Sequence, residues 1–182
     1  MRKTLYTDLI TQLKKIGVTI EVTTGDDVTT KVFNGTIQHF DIWNKQVEFM
    51  AKERPFKFPA VFIEFKPITW RELSAGVQEA DIQVHLHLVH KTKASARDAS
   101  ADQSVALAYL DLPDAVNLCL HGWHTAYSGP FVRVQTLPNH DHEEMILETE
   151  VYQAKVTDMS AVRDMTEVEV TPRYNVTLHP RT

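Results

Sequence analysis

The chain has 182 residues, 43% hydrophobic and 24% charged, with a formal net charge of −5. That length suits one domain with a sizeable core, and that composition excludes a disordered chain. The acidic balance and the lack of a long basic run argue against a nucleic-acid groove, which needs clustered Lys and Arg to neutralise phosphates. Cys119 is the single cysteine, so no intramolecular disulfide forms and nothing points to an oxidising compartment.

Leu5, Leu9, Ile10, Leu13 and Ile16 fall at helical spacing, and Lys14, Lys15 and Gly17 close the pattern as a helix end should. The basic N-terminus lacks the unbroken apolar core of a signal peptide, and no stretch approaches the roughly 20 apolar residues of a membrane span. A soluble protein made in the cytoplasm is expected. "VTIEV", 18–22, reads as a short strand, and 23–36 as a long loop or a weak hairpin with Gly-Asp and Asn-Gly turns. Residues 37–59 read as a strand entering a short helix, followed by an extended connection fixed by Pro55 and Pro59.

"AVFIEF", 60–65, is β-branched and aromatic between two prolines and reads as a central strand. "ITWRELSAGVQEA" reads as a link, with a turn at Gly76. Over 80–90 the alternation is clean: Ile82, Val84, Leu86 and Leu88 point one way, and Gln83, His85 and His87 the other. Residues 91–104 read as an exposed loop. "VALAYLDLPDAVNLCL", 105–120, is helical, but Pro113 inside one continuous helix would cost about 3 kcal/mol. Two pieces are expected, one ending near Leu110 and one capped by Asp111, with Pro113 in its first turn. "PFVRVQTL" and "MILETEVYQAKV" read as a hairpin joined by the turn 138–144. "EVEV", 167–170, and "RYNVTL", 173–178, read as a strand-like arm.

This order predicts an α+β fold: an antiparallel sheet with an N-terminal helix and a central helix packed on one face. Residues 1–158 form the single α+β domain and 159–182 a C-terminal extended arm. The predicted core is Leu9, Leu13, Val61, Ile63, Ile82, Val84, Leu86, Val116, Val132 and Val151.

The histidines are the first chemical question. His85 and His87 lie on one strand face about 7 Å apart, and His140 and His142, with Asp141 and Glu143, supply possible ligands on a turn. Together they are weak candidates for a divalent metal site. The plainer reading is the wet face of a half-buried strand, because spacing of two residues does not fix ligand geometry. HExxH, CxxC and GxSxG patterns are absent, Cys119 sits among leucines and reads as buried and inert, and no cofactor is expected. The chain reads as an assembling protein and not an enzyme, with Gln83, His85, His87, Trp43 and Trp70 as candidate interface residues.

The run of an N-terminal amphipathic helix, "PAVFIEF", the strand "GVQEADIQVHLHLV", the helix "ALAYLDLPDAVNLCLHG" and the hairpin "PFVRVQTLPNHDHEEMILETEVYQAKVTD" resembles the tail terminator, or tail completion, proteins of long-tailed bacteriophages and prophages. The resemblance covers most of residues 1–158. It implies small α+β subunits that form a homo-oligomeric ring, commonly a hexamer. Such a ring caps the tail tube and meets the head connector protein, as a virion component assembled in the bacterial cytoplasm. It implies no cofactor, and the composition adds no membrane and no nucleic-acid specificity. Another head–tail joining subunit is the nearest alternative, and a metal-dependent hydrolase using the histidines is the alternative of a different class.

Overall fold

The computed structural model describes residues 1–16, 20–24, 27–31, 36–48, 55–91, 96–101, 103–139 and 145–162. The N-terminal helix α1 spans Arg2–Leu13, and its i,i+4 leucines, Leu5, Leu9 and Leu13, are all buried. A hairpin follows, β1 Ile20–Thr24 and β2 Asp27–Lys31, as the turn signals suggest. Next come β3 His39–Ile42, β4 Ala60–Phe65, β5 Arg71–Ser74 and the long β6 Val77–His90. The helical layer resumes with α2 Gln103–Leu107 and α3 Asp111–Leu120, and β7 Val132–Asn139 and β8 Ile146–Asp158 complete the described elements.

The main sheet runs β3-β4-β6-β8-β7, with β5 pairing β6 beside that path. All its pairs are antiparallel except β3 with β4, which is parallel. The α+β expectation therefore holds, with one parallel pair at an edge. Val61, Ile63, Ile82, Val84, Leu86 and Leu88 meet Leu5, Leu9 and Leu13 of α1 and Leu112, Val116 and Leu120 of α3 in one core. The helices tie to each other as well: Gln12 Nε2 donates to the Cys119 carbonyl at 2.8 Å, and Cys119 Sγ donates to the Gln12 carbonyl at 3.1 Å. Burial pushes the Cys119 thiol up to about 11, so it stays protonated and unreactive.

Four local readings change. Residues 44–48 are turns where a short helix was expected; Gln46 accepts from the Asn44 N–H and donates to the Ile42 carbonyl, closing the chain on itself there. The stretch 68–80, read as a link, contains a hairpin, because β5 pairs the start of β6 from Val77 to Glu79. Ala75 and Gly76 both have positive φ, 49° and 86°, the pair a tight two-residue hairpin turn needs. Gly76 has a second reason to be glycine, because a Cβ there would lie 2.5 Å from the Ala161 carbonyl oxygen. The helix break falls where Pro113 requires it, but a 3₁₀ turn, Ala108–Leu110, carries the chain into α3. Leu110 holds the cap position without a side-chain bond, and Asp111 is the first helical residue, where with Asp114 it complements the helix dipole. Finally, Val132 is 42% exposed, not core. It lies on an edge strand whose register shifts between Arg133 and Gln135, and it faces away from the helices opposite Gln153. The predicted strands at 167–170 and 173–178 lie outside the described residues. No helix among the described residues is long and apolar enough to cross a membrane.

Candidate functional site

The face of the sheet opposite the helices divides into two halves. Alternation on β6 places Gln83, His85, His87 and Val89 there, and the register sets them beside Phe62 and Glu64 on β4 and Leu147, Thr149 and Val151 on β8. At the His90 end, Val47, Ala60, Phe62, Val89 and Leu147 form a second small core, sealed by Trp43, Phe56, Phe58 and Met145. The expectation of a uniformly wet face is corrected here. The turn after β3 and the Pro55–Pro59 segment bring aromatic rings over this half of the sheet and exclude water from it.

His87 stands at the boundary and is only 8% exposed. Its Nε2 lies 2.9 Å from Glu64 Oε2, and its Nδ1 lies 3.0 Å from Thr149 Oγ1. A carboxylate can only accept, so the neutral imidazole donates from Nε2 to Glu64 and accepts at Nδ1 from the Thr149 hydroxyl. The Trp43 ring stacks on it with centroids 3.9 Å apart and planes 15° apart. Burial pushes the His87 pKa down; the Glu64 carboxylate pulls it back, His85 and Lys66 push it further down, and the net direction is down. Burial alone would raise Glu64, but the hydrogen bonds from Lys66, at 2.7 Å, and from His87 outweigh it and hold the carboxylate below its ordinary value.

Thr149, His87 and Glu64 thus have the connectivity of a hydroxyl–imidazole–carboxylate relay. Thr149 is also only 8% exposed, so its oxygen offers a substrate little surface. The same bonds occupy both ring nitrogens of His87, which leaves it no lone pair for a metal. His85 lies 6.3 Å away, centroid to centroid, with burial pushing its pKa down. Among the described residues no group of three or more His, Cys, Asp or Glu side chains is arranged to hold a metal ion; His140 and His142 lie outside them.

Of the candidate interface residues, Gln83, His85 and His87 do share one face, and Trp43 joins them through its stack on His87. Gln83 is exposed, His85 half-buried and His87 buried. Trp70 sits apart, packed against the helix-side core. Sequence reasoning missed Glu64 and Thr149, because each belongs to a different strand and only the register brings them to His87.

Two other surface features stand out. A cavity of about 760 Å³ opens beside the small core, lined by His39, Asp41, Trp43, Asn44, Phe56 and Phe62 among others. At the opposite end of the sheet, nothing among the described residues pairs with the outer edge of β7. On that strand Val132, Val134 and Leu137 are 42%, 49% and 38% exposed.

No family model and no curated protein matches the chain. Among solved structures it is similar to a chain of the "Virion of native gene transfer agent (GTA) particle", at 12% identity and a TM-score of 0.40, over 66% of this chain and 79% of that one. A likeness of that size carries no functional argument, so the function is read from the residues themselves.

Proposed function

We propose that the protein is a structural subunit of phage virion assembly, closing a ring on the end of the tail tube and joining it to the head connector. The pattern resemblance over residues 1–158 motivates this reading, and the β7 edge is the observation that supports it. An edge strand offers a row of unpaired N–H and C=O groups, and soluble proteins usually blunt such edges with charge, proline or bulges. Here the bulge near Val134 and the proline at 138 limit the strand at its ends. Along the same strand the apolar side chains of Val132, Val134 and Leu137 nonetheless stay in solvent. Backbone pairing with a neighbour would use the edge and cover those side chains together.

A ring needs a heterologous contact, in which two different patches meet and the rotation closes. The β7 edge serves as one of the two. Light scattering on the purified chain is the test: a discrete multiple of 20.8 kDa is expected. Val134→Lys together with Leu137→Lys should return it to a monomer that keeps the circular dichroism spectrum of the folded chain. A monomer throughout the micromolar range, with tail-tube protein present or absent, would overturn the reading.

A further inference from the structure

We infer that the segment "RYNVTL", 173–178, of one copy of the chain docks as a strand along the outer edge of β7 of the next copy. The inference rests on the reading of β7 as a docking edge, and it names what docks there.

Residues 163–182 lie outside the described ones, so the sequence of the segment is the starting point. Tyr174, Val176 and Leu178 alternate with Arg173, Asn175 and Thr177, and Pro172 and Pro180 bracket the run. Aromatic and branched residues at a period of two are the pattern of a strand with one apolar face. Prolines beyond its two ends suit a strand that pairs at an edge. On β7, Val132, Gln135 and Leu137 lie opposite Gln153, Val151 and Thr149, so they share the face away from the helices. None of the three carries a charge. A strand presenting Tyr174, Val176 and Leu178 on that face would extend its apolar row, while its backbone took up the free N–H and C=O groups of the edge.

The path of the chain after β8 favours a neighbour's β7 over its own. On the β7 side the end of β8 is already paired: Gly129 N–H donates to the Lys155 carbonyl and Thr157 N–H to the Tyr127 carbonyl, both at 2.8 Å. Beyond β8 the chain turns, with Val162 N–H donating to the Met159 carbonyl at 3.1 Å, and passes the β5–β6 turn, where a Cβ on Gly76 would lie 2.5 Å from the Ala161 carbonyl oxygen. It therefore leaves from the β6 side of β8, and the free edge is on the other side. A donor at one end of the sheet and an acceptor at the other make a head-to-tail contact, the heterologous kind that a closed ring needs. Residues 163–172 connect the two, and extended they would span roughly 33 Å, about the width of a small domain.

The test is disulfide trapping in the full chain. Gln135→Cys is combined in turn with Tyr174→Cys, Val176→Cys and Leu178→Cys, which cover neighbouring registers. Burial pushes the native Cys119 thiol up to about 11, so it stays out of the reaction. On mild oxidation at least one combination should link chain to chain, and Gln135→Cys alone should not. A link within one chain, or no link in any combination, would overturn the inference. Neighbouring N–H groups of a strand point to opposite sides, so one of Asn175→Pro and Val176→Pro must remove a ladder bond. That variant should bring the light-scattering mass down to 20.8 kDa with an unchanged circular dichroism spectrum. A multimeric unaltered chain whose mass neither proline variant lowers would overturn the inference and leave the β7 reading standing. A monomeric unaltered chain would overturn both.

Discussion

The two faces of the sheet are held by different physics. On the helix side, aliphatic side chains from β4, β6 and β8 meet α1 and α3, and burial of apolar area dominates. On the other side, a few aromatic rings cover half the sheet, and a polar network of Glu64, His87 and Thr149 marks where the cover ends. The first arrangement tolerates approximate geometry as long as volume is filled. The second depends on partners being present, because an orphaned buried donor or acceptor costs more than its hydrogen bond contributes.

Truncating the helix-side core should have the largest effect. Leu86 on β6 is fully buried in the helix-side core, and Leu86→Ala should cost about 4 kcal/mol in urea unfolding, from lost transfer energy and the cavity left behind. The helix-side face also contains one charge that sharpens the contrast. Glu150 is 0% exposed and is held by Arg133 Nη1 at 3.2 Å and Thr136 Oγ1 at 2.8 Å. Arg133→Ala would leave that carboxylate buried without its cation and should cost about 3 kcal/mol, while Arg133→Ala with Glu150→Gln should recover part of it. On the other face, His87→Ala should cost about 2 kcal/mol, because Thr149 loses its acceptor and Trp43 its stacking partner.

The smallest effect is the pH dependence. His85, His87 and His90, all on β6, are held below the usual 6.5, chiefly by burial. As pH falls, the unfolded chain therefore takes up protons before the folded one does. Their contribution to stability is complete above about pH 6.5 and is lost as pH falls from there through the lower folded-state values. Urea midpoints should fall across that window in the native chain and fall less in His87→Gln. A midpoint that rises on acidification would contradict the burial argument.

Much of this was legible in the residues. The alternation of Ile82 to Leu88 gave both faces of β6, and Pro113 gave the helix break. The rest depended on contacts between distant residues. Nothing in "HFDI" announces parallel pairing with "AVFIEF", since parallel partners are joined by long connections and carry no turn signal. "RELS" is polar throughout and reads as a link until Ala75 and Gly76 turn it back on β6. Trp43, Phe56 and Phe58 look scattered in sequence and become one lid only after the chain closes over Phe62. That they meet over β6 depends on contacts between distant residues, which is why the second face was expected to be wet. His87 was singled out for its spacing to His85, whereas its surroundings are set by Glu64 and Thr149 across the register.

The two ends of the sheet differ as the faces do. The β3 end is lined by rings and a braced turn, and the outer edge of β7 has no partner strand among the described residues. Hydrogen exchange of the β7 amides that point away from β8 tests most directly whether that bare edge is a docking strand. They should exchange fast in dilute protein and become protected as concentration rises, while β6 amides exchange slowly throughout. Fast exchange along the outer edge of β7 at every concentration, and equally with tail-tube protein added, would contradict the account.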